Sequence, residues 1–273
     1  MIFHDWSLLP KPAQYDPVLN NNTWEQIAKA SSEGIASTLW NVGDRKEIVL
    51  NGTVGVLTFN DYHTYAFIIG FDHNASREGS NRIHFQLAKT ALSGGTDICF
   101  TDGSYNSIGS SAAFRMNTSD TNSGGWKDSY MRNNICGTSK TSTSGRIMGA
   151  IPADLRNALK SVTKYTNNTG KNSSSGAVTA TTDYFFLLAE YEVFGNIVYA
   201  NDYEANYQQQ YAYYSAGNSK VKYRHNSTGT SVHWWLRSPR ASDSGSFVRV
   251  VTGGYANPFS ANLSLGFAPC FCV

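Results

Sequence analysis

A chain of 273 residues can bury a sizeable core and fits one large domain, or one domain with an N-terminal extension. Only 15% of its residues are charged and 13% are aromatic, which excludes a disordered chain and suits loop-rich β structure. The formal charge of +2 is spread over scattered Lys and Arg, so there is no electrostatic footprint for nucleic acid.

Residues 1–22 contain Pro10, Pro12 and Pro17 and end in Asn20-Asn21-Asn22, the composition of an extended arm or linker; the domain is expected to span 23–273. The start, Met1-Ile2-Phe3-His4-Asp5-Trp6, lacks a basic segment followed by an apolar run, so no secretory signal is read there. No segment approaches the run of about eighteen apolar residues that a membrane span needs.

Thr23-Trp24-Glu25-Gln26 is a capping box, and Ile27, Ala28 and Ala30 continue a short helix that stops before Gly34. Residues 47–50 and 65–71 read as strands, the second apolar enough to lie at a sheet centre, and Asn51-Gly52 is a hairpin-type turn signal after the first. Residues 91–125 read as loops packed by Ile98, Phe100 and Phe114. A short helix is expected over 127–134, with Trp126, Tyr130 and Met131 on one face. A better one is expected over 152–162, where Ile151, Leu155, Leu159 and Val162 form an apolar stripe behind Pro152. Residues 167–176 read as a flexible loop and 183–189 as a buried strand, followed by a Tyr-rich polar segment to Tyr223. The pattern is α+β, with short helices among small antiparallel sheets and without a βαβ rhythm.

The last forty residues, roughly, hold the strongest signal: Trp234-Trp235-Leu236-Arg237-Ser238-Pro239 opens a lysine-free polar stretch that closes on Phe267-Ala268-Pro269-Cys270-Phe271-Cys272. The residue types of 240–265 are those of adaptable binding surfaces. Within it Arg240, Asp243, Phe247, Arg249, Val251, Tyr255, Asn257, Phe259, Asn262 and Leu265 are candidate contact positions. Alternation would set Phe247, Arg249 and Val251 outward and Val248 and Val250 inward. Trp234, Trp235, Arg237, Phe267 and Phe271 are read as scaffold, with Arg237 a hydrogen-bond hub and residues 266–273 a buried central strand.

Chemistry-bearing clusters are sparse. Cys99, Cys136, Cys270 and Cys272 are too few for a disulfide scaffold and read as buried thiols; Cys270 and Cys272 share one strand face. They sit in an apolar segment without a nearby basic residue to activate them. No CxxC supplies a zinc site, and no serine, Ser110 included, sits in a G-x-S-x-G elbow. Asp72-His73-Asn74 is read as a hydrogen-bonded loop, with a metal or catalytic cluster as the competing reading. Neither cofactor nor metal is expected, and the chain is read as not an enzyme.

Taken together with Trp40-Asn41-Val42-Gly43-Asp44, Gly70-Phe71-Asp72-His73, Gly124-Gly125-Trp126, Met131-Arg132 and Phe186-Leu187-Leu188, these motifs resemble a family common in Gram-positive bacteria and their phages. Several of its members are similar to variable proteins of diversity-generating retroelements. The resemblance implies a C-type-lectin-like fold whose segment 240–265 is hypervariable. Adenine randomisation of Asn codons never yields Trp, Lys, Glu, Gln or Met, and 240–265 contains none of these. It further implies a receptor-binding role on a phage tail or bacterial cell surface, toward a host-cell surface protein or glycan, with a homo-oligomer left open. The competing readings are a structural virion or appendage component and a thiol-dependent enzyme. Calcium-dependent sugar binding is not expected, because no Glu-Pro-Asn-like or Trp-Asn-Asp-like triplet is present.

Overall fold

The computed structural model describes residues 14–103 and 114–273. Residues 1–13 of the expected arm, and Ser110, lie outside them. Residues 14–22 pack on the domain: Tyr15 and Leu19 are buried, and the Trp40 indole N–H donates to Asp16 O at 3.1 Å. At Thr23 both bonds of the capping box are made. The Thr23 hydroxyl accepts from the Gln26 amide, and the Gln26 side chain accepts from the Thr23 amide, so helix α1 (Trp24–Ser32) starts there. It turns Trp24, Ile27 and Ala30 inward. The other helices are shorter: α2 (Ala36–Leu39), α3 (Ala75–Glu78), α4 (Gly125–Asp128), α5 (Ile147–Ala150), α6 (Ala153–Ala158), α7 (Glu190–Phe194) and α8 (Ala212–Ser215).

Strands dominate. β1 (Arg45–Val54), β2 (Leu57–Phe71) and β3 (Ile83–Lys89) form a meander. β4 (Ile98–Cys99), β5 (Val162–Asn167), β6 (Val178–Asp183), β7 (Phe185–Phe186), β8 (Lys222–Arg224) and β9 (Ser227–Val232) follow. β10 (Trp234–Pro239), β11 (Ser246–Val250), β12 (Ala256–Ser260) and β13 (Cys270–Cys272) complete the order. They assemble as a five-stranded sheet β1-β2-β3-β13-β7, two three-stranded sheets β10-β11-β12 and β4-β8-β9, and the pair β5-β6. Apart from β4 and β8, the paired strands run antiparallel. The protein is therefore a mixed α and β structure of few short helices and several small antiparallel sheets.

β13 lies inside the main sheet, between β3 and β7. Phe271 stacks on Phe85 with centroids 5.3 Å apart, and meets Trp24 at 5.9 Å and Phe185 at 5.5 Å. The Ser31 hydroxyl donates to Val273 O at 2.7 Å, tying α1 to the same strand. Gly266 precedes this strand because a Cβ there would lie 2.2 Å from Cys99 Sγ. The backbone of 266 can thus pass beside β4 and bridge to Trp234.

Local signals failed where packing took over. Asn51-Gly52 is not the hairpin turn; it sits at a bulge inside β1, where Asn51 exchanges hydrogen bonds with Asp61, and the chain reverses at Gly55. The helix expected over 152–162 ends at Ala158, because Val162 is needed in β5. The one expected over 127–134 is broken at Ser129. Its hydroxyl donates to Trp126 O and accepts from the Arg132 amide, so α4 ends there and a π-helical turn, Met131–Cys136, follows. The flexible loop expected over 167–176 is shorter and fastened: Asn167 ends β5 and its Nδ2 donates to Gly170 O and Asn172 O, and a 3-10 turn, Ser175–Ala177, closes the segment. The strand expected over 183–189 reduces to β7, beside the end of β6.

Because the Phe271 ring packs between α1 and its neighbours on β3 and β7, Phe271→Ala should cost about 3–5 kcal/mol. Denaturant unfolding checks this; an unchanged midpoint would show that β13 is not a core strand.

Candidate functional site

The candidate surface stands on β10, whose side chains are buried from Trp234 to Pro239. Trp234 Nε1 donates to Lys220 O and Trp235 Nε1 to Phe114 O, each at 2.9 Å, so both indoles are buried with their polar edges satisfied. Arg237 is fully buried. Its Nε donates to Thr166 Oγ1 at 2.7 Å, Nη1 donates to Leu187 O at 2.7 Å and to Glu192 Oε2, and Nη2 donates to Glu192 Oε1 at 2.8 Å. Phe267 and Phe271 are likewise fully buried.

Glu192 extends this hub. Its Oε1 also accepts from Lys164 Nζ at 2.9 Å, and Lys164 donates to Glu78 Oε2 at 2.6 Å and to the Tyr211 hydroxyl at 2.9 Å. Two cations and two acidic side chains thus meet in the interior, where burial pushes the Glu78 carboxyl up to about 7 against the pull of Lys164. Burial works against the Glu192 carboxylate, yet Arg237 and Lys164 hold it well below the usual range. His73 lies flat on Tyr211, centroids 3.6 Å apart, and burial together with Lys164 lowers its pKa to about 3, so the imidazole is neutral. His73, Glu78 and Glu192 bring ligand-type atoms within 4.8 Å of one another. The Lys164 ammonium pairs with both of these carboxylates. Of the neighbouring motif residues, Asp72 accepts from the Arg82 amide and Asn74 Nδ2 donates to Tyr207 O, which is the hydrogen-bonded loop.

The thiols are enclosed. All four cysteines are free and buried. Cys272 does have a basic neighbour, contrary to the sequence reading: His84 Nδ1 lies 3.3 Å from its sulfur. Burial raises the thiol and lowers the imidazole, so both stay neutral and neither activates the other.

The ten candidate contact positions divide. Phe247 and Leu265 are fully buried, and Val251 and Arg249 nearly so, which corrects their assignment as exposed residues. The alternation along β11 is present, but β11 is the middle strand of its sheet and both faces are covered. Phe247 pairs with Phe259 of β12, and the Arg249 guanidinium lies 3.7 Å over the Phe259 ring, beside Asn257. Val248 and Val250 face inward as expected. Leu265 bridges to Phe114.

The other six reach the surface. Tyr255, in the turn between β11 and β12, is 62% exposed. Asn257 and Phe259 are half-buried on β12, which ends the sheet order, and Asn262 follows it. Arg240 and Asp243 form an ion pair at 2.9 Å in the β10–β11 turn. Asp243 Oδ1 accepts from the amides of Gly245 and Ser246, which with Arg240 hold its carboxyl below the usual range against partial burial. That turn is anchored from below by Asn122, whose Nδ2 donates to the carbonyls of Arg240, Asp243 and Ser246. Sequence reasoning missed Asn122, Glu78, Lys164, Glu192 and Tyr211. The one local hint was the pair Glu190 and Glu192 directly behind an apolar segment.

Glu204 adjoins the same interior. It accepts from the Asn167 amide and the Ser238 hydroxyl, yet burial pushes its carboxyl up to about 7. A folded-state pKa above the unfolded value means that the native chain holds this proton more tightly. The stabilisation is complete below the ordinary carboxylate range and is lost as pH rises through about 7. Glu204→Gln should remove this component, up to about 1.4 kcal/mol per pH unit, from the fall in stability between pH 5 and 7. Urea unfolding of both proteins across that range tests it; parallel pH profiles would refute the assignment.

No curated protein matches the chain, and no solved structure does. Residues 105–273 match a family model described as a domain of unknown function, DUF6273. The match covers more than half of the chain, and by it the chain belongs to the DUF6273 family.

Proposed function

We propose that the protein is a non-enzymatic receptor-binding protein that displays the exposed part of 240–265 on a C-type-lectin-like frame. The observation that carries this reading is the outward rise in exposure across one small sheet. Every residue of β10 is buried, while the next turns and edge present Arg240, Asp243, Tyr255, Asn257, Phe259 and Asn262. A frame and a reader made of different residues can be varied independently, which is what a diversified protein of a phage tail or bacterial cell surface requires. The enclosed, protonated cysteines favour this reading over a thiol-dependent enzyme.

The variable set is therefore narrower than 240–265. Variation at Phe247 or Leu265 would strike the core, whereas variation at Tyr255 or Asn262 would alter the surface. Replacing Arg240, Tyr255, Asn257 and Asn262 together by Ser should lower the melting temperature only modestly, since Tyr255 is exposed and the partly buried Arg240, Asn257 and Asn262 lie outside the apolar core, where substitutions usually stay within about 0.5 kcal/mol each. Binding of the labelled protein to susceptible bacterial cells should fall by at least tenfold, because Tyr and Arg anchors commonly contribute on the order of 2 kcal/mol each. Undiminished cell binding by a folded four-site variant would defeat the proposal and favour a structural virion component.

A further inference from the structure

Lys89 and Asp97 face each other across an isolated antiparallel bridge that joins the end of β3 to the segment entering β4. Their backbones are held from outside: the Thr64 hydroxyl donates to Lys89 O at 3.1 Å, and the Tyr223 amide donates to Asp97 O at 2.8 Å. The Lys89 ammonium pairs with the Asp97 carboxylate, and the two side chains are only 7% and 12% exposed. The Tyr213 hydroxyl touches both groups, accepting from Lys89 Nζ at 2.9 Å and donating to Asp97 Oδ2 at 3.3 Å. An amine, a carboxyl and a group able to pass protons between them are thus held in one place.

The surroundings disfavour the ionised pair. Lys89 Nζ lies 4.6 Å from the centre of the Phe67 ring and Lys222 Nζ 5.4 Å from the same point, so two buried ammoniums depend on the single Asp97 charge. Lys222 Nζ finds no hydrogen-bond acceptor among the described residues. Burial lowers the hold of Lys89 on its proton against the pull of Asp97, and the charges of Lys222 and Arg45 lower it further. When Nζ passes a proton to the Tyr213 oxygen and Tyr213 passes its own to Asp97 Oδ2, a neutral amine is left against a carboxylic acid. Condensation then replaces two buried charges, whose desolvation is costly, by a neutral amide. Amine and acid are held at an effective concentration that no solution reaches.

We propose that Lys89 and Asp97 form an intramolecular isopeptide bond, with Tyr213 as the proton relay. The Lys89 nitrogen lone pair attacks Asp97 Cγ, the N–C bond forms, and the carbonyl electrons move onto Oδ1. The carbonyl then re-forms at Oδ1 as the bond from Cγ to Oδ2 breaks. Oδ2 leaves as water, carrying its own proton and one that the nitrogen loses through Tyr213. No oxidant, reductant or second reactant takes part. The open groove of about 440 Å³ bordered by Lys89, Asp97 and Tyr213 gives the water an exit. The bond closes residues 90–96 into a covalent loop and staples the main sheet to the sheet β4-β8-β9, whatever the protein binds. A chain cut within that loop stays in one piece.

Mass spectrometry of the purified full chain tests this. The intact protein should weigh less than its sequence by one water molecule. Trypsin acting on the denatured protein should fail to cut after Lys89, whose side chain is acylated, and should release residues 83–115 as one peptide lacking that water. Lys89→Arg keeps a cation for Asp97 but cannot form the amide, so its mass should match its sequence. Tyr213→Phe removes only the relay hydroxyl and should lower the linked fraction about tenfold or more. The proposal is overturned by an unreduced mass with normal cleavage after Lys89, or by complete linkage in Tyr213→Phe. It is equally overturned by a water loss that persists in Lys89→Arg, which would place the loss in a succinimide at Asp102-Gly103. Cleavage after Lys89 is read on the unaltered chain, so it decides the matter even where a variant fails to fold.

Discussion

The buried ionic lattice from Arg237 through Glu192 and Lys164 to Glu78 is the constraint on which the rest of the structure depends. It joins β10, α7, β5 and α3, segments separated by 28 to 86 residues along each link. Glu192 has a second task, since its Oε2 accepts from the Ala189 amide and so caps the start of α7. A packed apolar core could match the stability of such a lattice, because desolvation offsets most of the Coulomb attraction. It could not match its geometry. The planar guanidinium accepts one approach of the carboxylate, so β10 is fixed against α7 in translation and in rotation.

From this fixed strand, freedom grows outward. β10 is buried throughout, β11 is nearly so, and β12 is half-buried along its length. The turns are held from within: Asn122 binds three carbonyls of the first, and Gly254 seats the second on Val221. Asn122 thus sets the first turn from the interior, and Asp243 adds a hold from the surface side through the Gly245 and Ser246 amides. The exposed side chains carry few obligations to the fold, and this separation lets one backbone tolerate different surfaces.

Much of this was legible in the sequence, and the reasons for success and failure differ. Thr23-Trp24-Glu25-Gln26 reports a helix start because both of its hydrogen bonds close within four residues. The Tyr65–Phe71 portion of β2 reports a central strand because its apolar run is unbroken from Ala66 to Ile69. The Trp234–Pro239 block announced a frame with Arg237 at its hub. Three things were illegible because they depend on what lies across space. Asn51-Gly52 has turn chemistry but is caught in a bulge by Asp61. β11 shows surface-like alternation but both of its faces are covered, with burial unbroken from Phe247 to Val250. The carboxylates of Glu78 and Glu192 look solvent-exposed in sequence, as such residues usually are, until Lys164 and Arg237 are placed beside them.

The Tyr-rich segment, which read as an undifferentiated polar stretch, ties the ionic lattice to the main sheet. Tyr211 binds Lys164 through its hydroxyl, and Tyr214 donates to Gln86 on β3 at 2.6 Å. Tyr213, between them, places its hydroxyl against Lys89 and Asp97. One turn of helix thus divides three tyrosines between the ionic lattice, the main sheet and the Lys89–Asp97 pair. Turning α8 would break the Tyr211–Lys164 contact and leave a buried ammonium short of one acceptor, so the lattice that fixes β10 fixes this turn as well.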